Sequence, residues 1–244
     1  MIYNELLFCV LLLAMAFLYS SVGHGGASGY LAIMAIFSYP PNSMRSIALL
    51  LNTLVSFIAF IQYYRAGYFR WNLFWPFVLT SVPAAFLGGL INLDENIYKP
   101  LLAIFLVVSA FKLLSHKVQL KQSFKEINII WAFILGAGIG FFSGMLGIGG
   151  GIILSPVILF LHWANMKQTA AISALFIFSN SLSGLAGLHV KGFGFDSEML
   201  ILGVVVFFGG LLGSYLGARK IENEILKTML AIILFVASMK LIFT

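Results

Sequence analysis

The chain has 244 residues, 61% of them hydrophobic and only 9% charged, with a mean hydropathy of +1.04. Soluble domains carry roughly a quarter charged residues, and a globule of this length has too large an exterior to hide so much apolar surface. That excludes a soluble fold and makes the lipid bilayer a partner, while the net charge of +6 is better explained by basic loops that set membrane topology than by nucleic acid.

Lipid offers no hydrogen bonds, so spanning segments must be helices or a closed barrel. Barrel strands alternate apolar and polar residues, whereas the runs here, such as Leu6 to Tyr19 and Leu230 to Val236, are unbroken. The expected class is therefore all-α and integral to the membrane.

The first apolar segment covers roughly 5–22 and holds the single cysteine, Cys9, so no disulfide framework is available. The first charge is Glu5 and no basic residue precedes the run, so this segment is expected to stay in the mature protein. Ser20 and Ser21 close it and are candidate donors to an oxyanion.

A glycine cluster, Gly23-His24-Gly25-Gly26, then precedes a short segment at 27–39. A crossing needs about 20 residues, so this length suits a re-entrant half-helix. His24 has two readings: a proton carrier or substrate donor, or a neutral ring bonded to a carbonyl left free by the helix break.

The segment at 43–64 carries Arg45 near its start, and Asn52, Thr53 and Ser56 further in. An amide in hydrocarbon needs a partner, so Asn52 is either interhelical glue or a ligand contact. Arg45 either attracts anions at the outer mouth or snorkels to head groups.

Segments at 72–92 and 97–115 complete the first half. The stretch 116–126 then holds His116, Lys117, Lys121 and Lys125 against Glu126, which makes it a basic linker on the cytoplasmic side.

The second half repeats the plan, with segments at 127–145, 151–163, 166–188, 198–218 and 224–243. Its glycine cluster is Gly147-Ile148-Gly149-Gly150-Gly151, and Gly147 lies 124 positions after Gly23 (147 − 23). Phe111-Lys112-Leu113 returns as Met239-Lys240-Leu241, an offset of 128 (240 − 112). Ser143 precedes the second cluster, and Ser179, Asn180, Ser181 and Ser183 form a polar patch like that around Asn52.

Two copies of one unit follow, 1–115 and 127–244. Placing the linker, Arg65, Arg70, Lys167, Arg219 and Lys220 inside makes each glycine-tipped pair a hairpin followed by three transmembrane helices. The two units then have inverted topology, with both termini outside.

Inverted repeats with broken helices carry their site near the midplane. A helix start has free N–H groups and a positive dipole end, and glycine lets a ligand approach the backbone. The expected anion site draws on Ser21, His24, Gly25, Gly26, Asn52, Ser143, Gly149, Gly150, Gly151 and Asn180, with Arg45 in gating or electrostatic attraction.

No nucleotide loop is present, since no Gly-Lys-Ser/Thr follows either cluster. The four histidines lack ligand spacing and no carboxylate pair lies within a segment. No cofactor, metal or catalytic site is expected.

The paired glycine motifs and the repeat, with Gly88-Gly89 in one half and Gly213 with Gly217 in the other, resemble the TauE/SafE sulfite-exporter family, also called the sulfonate-permease or TSUP group. The likeness implies a multi-pass protein of the bacterial or archaeal cytoplasmic membrane. Its substrate would be sulfite or an organosulfonate such as sulfoacetate, moved by a secondary transporter, with export the expected direction and a homodimer admissible. The alternatives are a channel or transporter for another small solute, and a membrane scaffold subunit.

Overall fold

A computed structural model describes residues 2–91, 93–115, 124–192, 197–220 and 235. The segment expected at 224–243, apart from residue 235, and the linker core at 116–123 lie outside the described residues. Among the described residues the fold is helical throughout: α1 (Ile2–Ser21), α2 (Ala27–Ile36), α3 (Pro41–Arg65), α4 (Trp71–Leu90), α5 (Glu95–Ser115), α6 (Ile129–Leu146), α7 (Gly151–Phe160), α8 (Met166–Val190) and α9 (Ser197–Arg219). Five stretches are long and apolar enough to cross a membrane: Ser43–Arg65, Trp71–Leu90, Ile129–Leu146, Met166–Val190 and Met199–Arg219. With large apolar side chains exposed along α1, α4, α6 and α9, this is a multi-pass membrane protein.

Helices α2 and α7 have ten residues each, and each starts from a left-handed glycine: Gly26 at φ 100° and Gly150 at φ 79°. A side chain is strained at such φ values, and each break sits at one of them. In both helix pairs the outer ends lie together. Phe8, near the start of α1, stacks on Tyr39 just after α2 at 5.2 Å. Before α6, the Lys125 N–H donates to the His162 carbonyl just after α7 at 2.9 Å.

Packing between the halves exchanges partners. Helix α4 lies on α6 and α8, and α9 lies on α1 and α3. The α4–α6 seam is built by Gly136, Gly140 and Gly144, four residues apart, set against the backbone of Phe77, Ser81 and Ala85. The α1–α9 seam uses Gly209, Gly213 and Gly217, set against Leu13, Phe17 and Ser21. Without a hydrophobic force between helices in lipid, such small-residue stripes let backbones meet at close range. The seam glycines on α6 were not singled out from the sequence, although their spacing of four was there to be read.

Arg65, Arg70, Lys167 and Arg219 gather at one end. The Lys167 ammonium donates to the Ala218 carbonyl at 2.9 Å and lies over the Tyr68 ring at 5.4 Å. This brings the loop between Arg65 and Arg70, the start of α8 and the end of α9 together.

Candidate functional site

Asn52 on α3 stands between the two glycine breaks. Its side-chain oxygen accepts from the Ala27 N–H, the first amide of α2, at 3.1 Å. Its NH2 donates to Ser181 Oγ on α8 at 2.8 Å. A methyl group on Gly25 would collide with the Asn52 oxygen, and one on Gly149 would collide with its nitrogen. The two breaks therefore meet on opposite sides of one amide, which ties α2, α3 and α8 together.

His24 adds a second bridge. Its Nδ1 lies 3.0 Å from the Val22 carbonyl, and because a carbonyl only accepts, Nδ1 carries the hydrogen. With a neutral ring, Nε2 accepts from Ser155 Oγ on α7 at 3.1 Å, and Ser155 is 2.7 Å from Ser173 Oγ on α8. The carbonyl bond weighed for His24 is present, together with a contact to the other half. Ser155 and Ser173 were not singled out from the sequence, and no local motif marks them.

Carbonyls around the breaks are bonded to side-chain donors. Tyr63 donates to Ser21 at 2.7 Å, Tyr30 to Gly25 at 2.8 Å, and Tyr98 to Leu146 at 3.0 Å. Each of these oxygens already has a side-chain donor. The first amides of a helix have no acceptor inside it, so the start of α7 presents N–H groups at Gly151 and Ile152. Such an arrangement suits a negative ligand.

Two of the expected residues have other duties. Ser21 donates back to the Leu18 carbonyl at 2.6 Å, and its backbone packs on Gly217, so it belongs to the α1–α9 seam. Arg45 neither opens to an outer mouth nor snorkels to head groups. It is buried, with 6% of its surface exposed. Its guanidinium donates to the carbonyls of Gly144 (Nε 3.1 Å, Nη2 2.8 Å), Ile91 (2.7 Å), Gly88 (2.8 Å) and Gly89 (3.0 Å). These carbonyls end α4 and α6, and each helix C-terminus is equivalent to about half a negative charge. Two such ends balance one guanidinium, so the residue acts as a clasp. Proximity of Arg45 to Asn52 along one helix suggested a role at the mouth. The carbonyls that claim it come from positions 88 to 144, which sequence distance conceals.

The remaining candidates flank the second break. A methyl group on Gly150 would come within 3.3 Å of Ser143 Cβ and 3.0 Å of the Phe176 ring. Asn180 donates to the Phe176 carbonyl at 2.9 Å. Ser143 Oγ and Asn180 Oδ1 are buried with no hydrogen-bond partner. Gly151 lies against Ile177 of α8, with His24 Cδ2 3.3 Å from where its Cβ would stand.

The family model for the sulfite exporter TauE/SafE matches residues 7–241. The chain belongs to the TauE/SafE family. A probable membrane transporter protein of Sinorhizobium fredii is 36% identical over 233 residues, covering 93% of this chain and 94% of that one. A probable membrane transporter protein of Bacillus subtilis is 26% identical over 215 residues, 78% of this chain and 76% of its own. A Thermosipho africanus protein named undecaprenyl-diphosphatase is 30% identical over 202 residues, 76% of this chain and 79% of its own. No solved structure matches. Within the TauE/SafE family this chain is a membrane transporter.

Proposed function

We propose that this TauE/SafE protein is a secondary transporter of the cytoplasmic membrane that exports a small sulfur-containing anion, sulfite or an organosulfonate such as sulfoacetate. Alternating access would operate around the glycine breaks. The observation that carries this reading is their meeting at Asn52, with carbonyls bonded to side chains and the first α7 amides, Gly151 and Ile152, without an acceptor inside the helix.

The two halves, 1–115 and 127–244 joined by the basic linker 116–126, are read as inverted repeats. Support comes from the exchanged pairing of α4 with α6 and α8 and of α9 with α1 and α3. The hairpin readings of α1–α2 and α6–α7 are supported by Phe8 on Tyr39 and by Lys125 to His162. The grouping of Arg65, Arg70, Lys167 and Arg219 at one end favours a cytoplasmic face there. A homodimer is compatible with the broad apolar exterior.

The test is efflux from proteoliposomes containing only the purified chain. Saturable flux of sulfite or sulfoacetate, accelerated by the same anion on the opposite side, is expected. Flux without saturation or counterflow would mean a channel, and no flux of any anion would favour a scaffold subunit. The relative named undecaprenyl-diphosphatase supplies a control. Glu5, Asp94 and Glu126 are all exposed in this chain, and no phosphate release from undecaprenyl diphosphate is expected.

A further inference from the structure

The two breaks are chemically unequal. At the first, the Asn52 amide has a partner on each side, Ala27 N–H and Ser181 Oγ. Asn180 stands 128 positions later (180 − 52), the same offset that relates Lys112 to Lys240. It does not repeat the cap: the helix start at Gly150 has no side-chain cap, and Asn180 bonds its own helix instead.

The Phe176 carbonyl decides which way this amide points. A carbonyl only accepts, so the NH2 must face Phe176, and Oδ1 is left as a buried acceptor without a donor. Asn180 lies one turn after Phe176 and Ile177, which meet Gly150 and Gly149, and one turn before Gly184, which meets Gly144. It therefore sits on the face of α8 turned toward the second break. Ser143 Oγ, equally buried and without a partner, flanks Gly150 from α6. An unmet buried acceptor has a real cost, and a ligand that supplies a donor removes it.

Resting on the transporter reading above, we infer that the ligand is bound at the second break and is an anion that carries its own donor hydrogen. The amides of Gly151 and Ile152 and the Ser143 hydroxyl hold its negative oxygens, and Asn180 Oδ1 accepts from its O–H or N–H. Hydrogensulfite meets this demand and the sulfite dianion does not. An aminosulfonate meets it through its ammonium group, whereas a simple alkylsulfonate has no donor to offer.

Titratable and charged groups around the break are His24, whose Cδ2 is near Gly151, Arg45, whose Cγ is 3.0 Å from where a Gly147 Cβ would stand, and Tyr98, bonded to Leu146. The facing turns of α4, α6, α7 and α8 present none. Because a change of pH acts on both ligand and protein, a probe that does not titrate is required.

The test measures dissociation constants on the full chain in nanodiscs for two matched pairs, hydrogensulfite against methanesulfonate and 2-aminoethanesulfonate against ethanesulfonate. A preference of about tenfold or more for a donor-bearing member is expected. Whichever pair shows it identifies an O–H or an N–H as the donor. The preference should shrink to about threefold or less in Asn180→Leu, through loss of the donor-bearing ligand alone. Sulfite affinity should fall as rising pH removes the ligand's proton, while methanesulfonate affinity stays level.

Equal affinities within both pairs in the wild type, or a parallel pH dependence for methanesulfonate, would overturn the inference and leave anion transport standing. If none of the four anions binds at any pH, the transporter reading falls with it. The wild-type comparison decides the matter even if Asn180→Leu does not fold.

Discussion

At the scale of single residues, the chain handles polar groups in lipid by giving nearly every one a named partner. Arg45 shows how strong that demand is. It donates to four carbonyls from two helix ends, a planar fork doing what one ammonium cannot. Arg45→Ala leaves those oxygens buried without donors and should destabilise the fold by about 3 kcal/mol or more. Arg45→Lys should recover only part of that. Thermal unfolding in detergent checks both. An unchanged melting temperature with weakened anion flux would instead make Arg45 an electrostatic attractor.

The same scale shows what one-dimensional reading missed. Asn52 and Asn180 were both legible as buried amides with two roles open. The structure separates them, because only Asn52 reaches across to another helix start, and no property of the local sequence distinguishes the two.

At the scale of elements, most boundaries were readable. The half-length segments, the glycine clusters and the long apolar runs appear as α2, α7 and the spans around them, because a span's length and a glycine at positive φ are local demands. The short segments were drawn too long, to 39 and 163. Helix α2 ends at Ile36 and α7 at Phe160, and the chain turns through positive φ at Ser38 and His162. The seams were harder to see, since any glycine in a membrane helix fits a packing reading. Gly140 meets the Ser81 backbone, whereas Gly138, two positions away, has open space around it. Gly140→Leu should therefore cost about 3 kcal/mol through backbone displacement, and Gly138→Leu should stay within about 1 kcal/mol of wild type. Melting temperatures of the two variants in one detergent check this pair, and equal effects would mean that α4 and α6 do not pack through this stripe.

At the scale of the whole molecule, each half supplies what the other lacks. The first break is closed by Asn52 and bridged to α7 through His24 and Ser155, while the second keeps an acceptor and a hydroxyl without partners. Two breaks of unequal chemistry are what a site between them needs if it is to hold one ligand in one orientation. Tyr39 marks the mouth of the first pair and His162 that of the second. The most direct test is impermeant maleimide labelling of intact, oriented vesicles, in a Cys9→Ser background, with single cysteines at positions 39 and 162. Labelling of position 39 from outside only, and of position 162 from the cytoplasmic side only, is the predicted result. Both positions labelled from the same face would contradict opposed hairpins and remove the basis for a site between them.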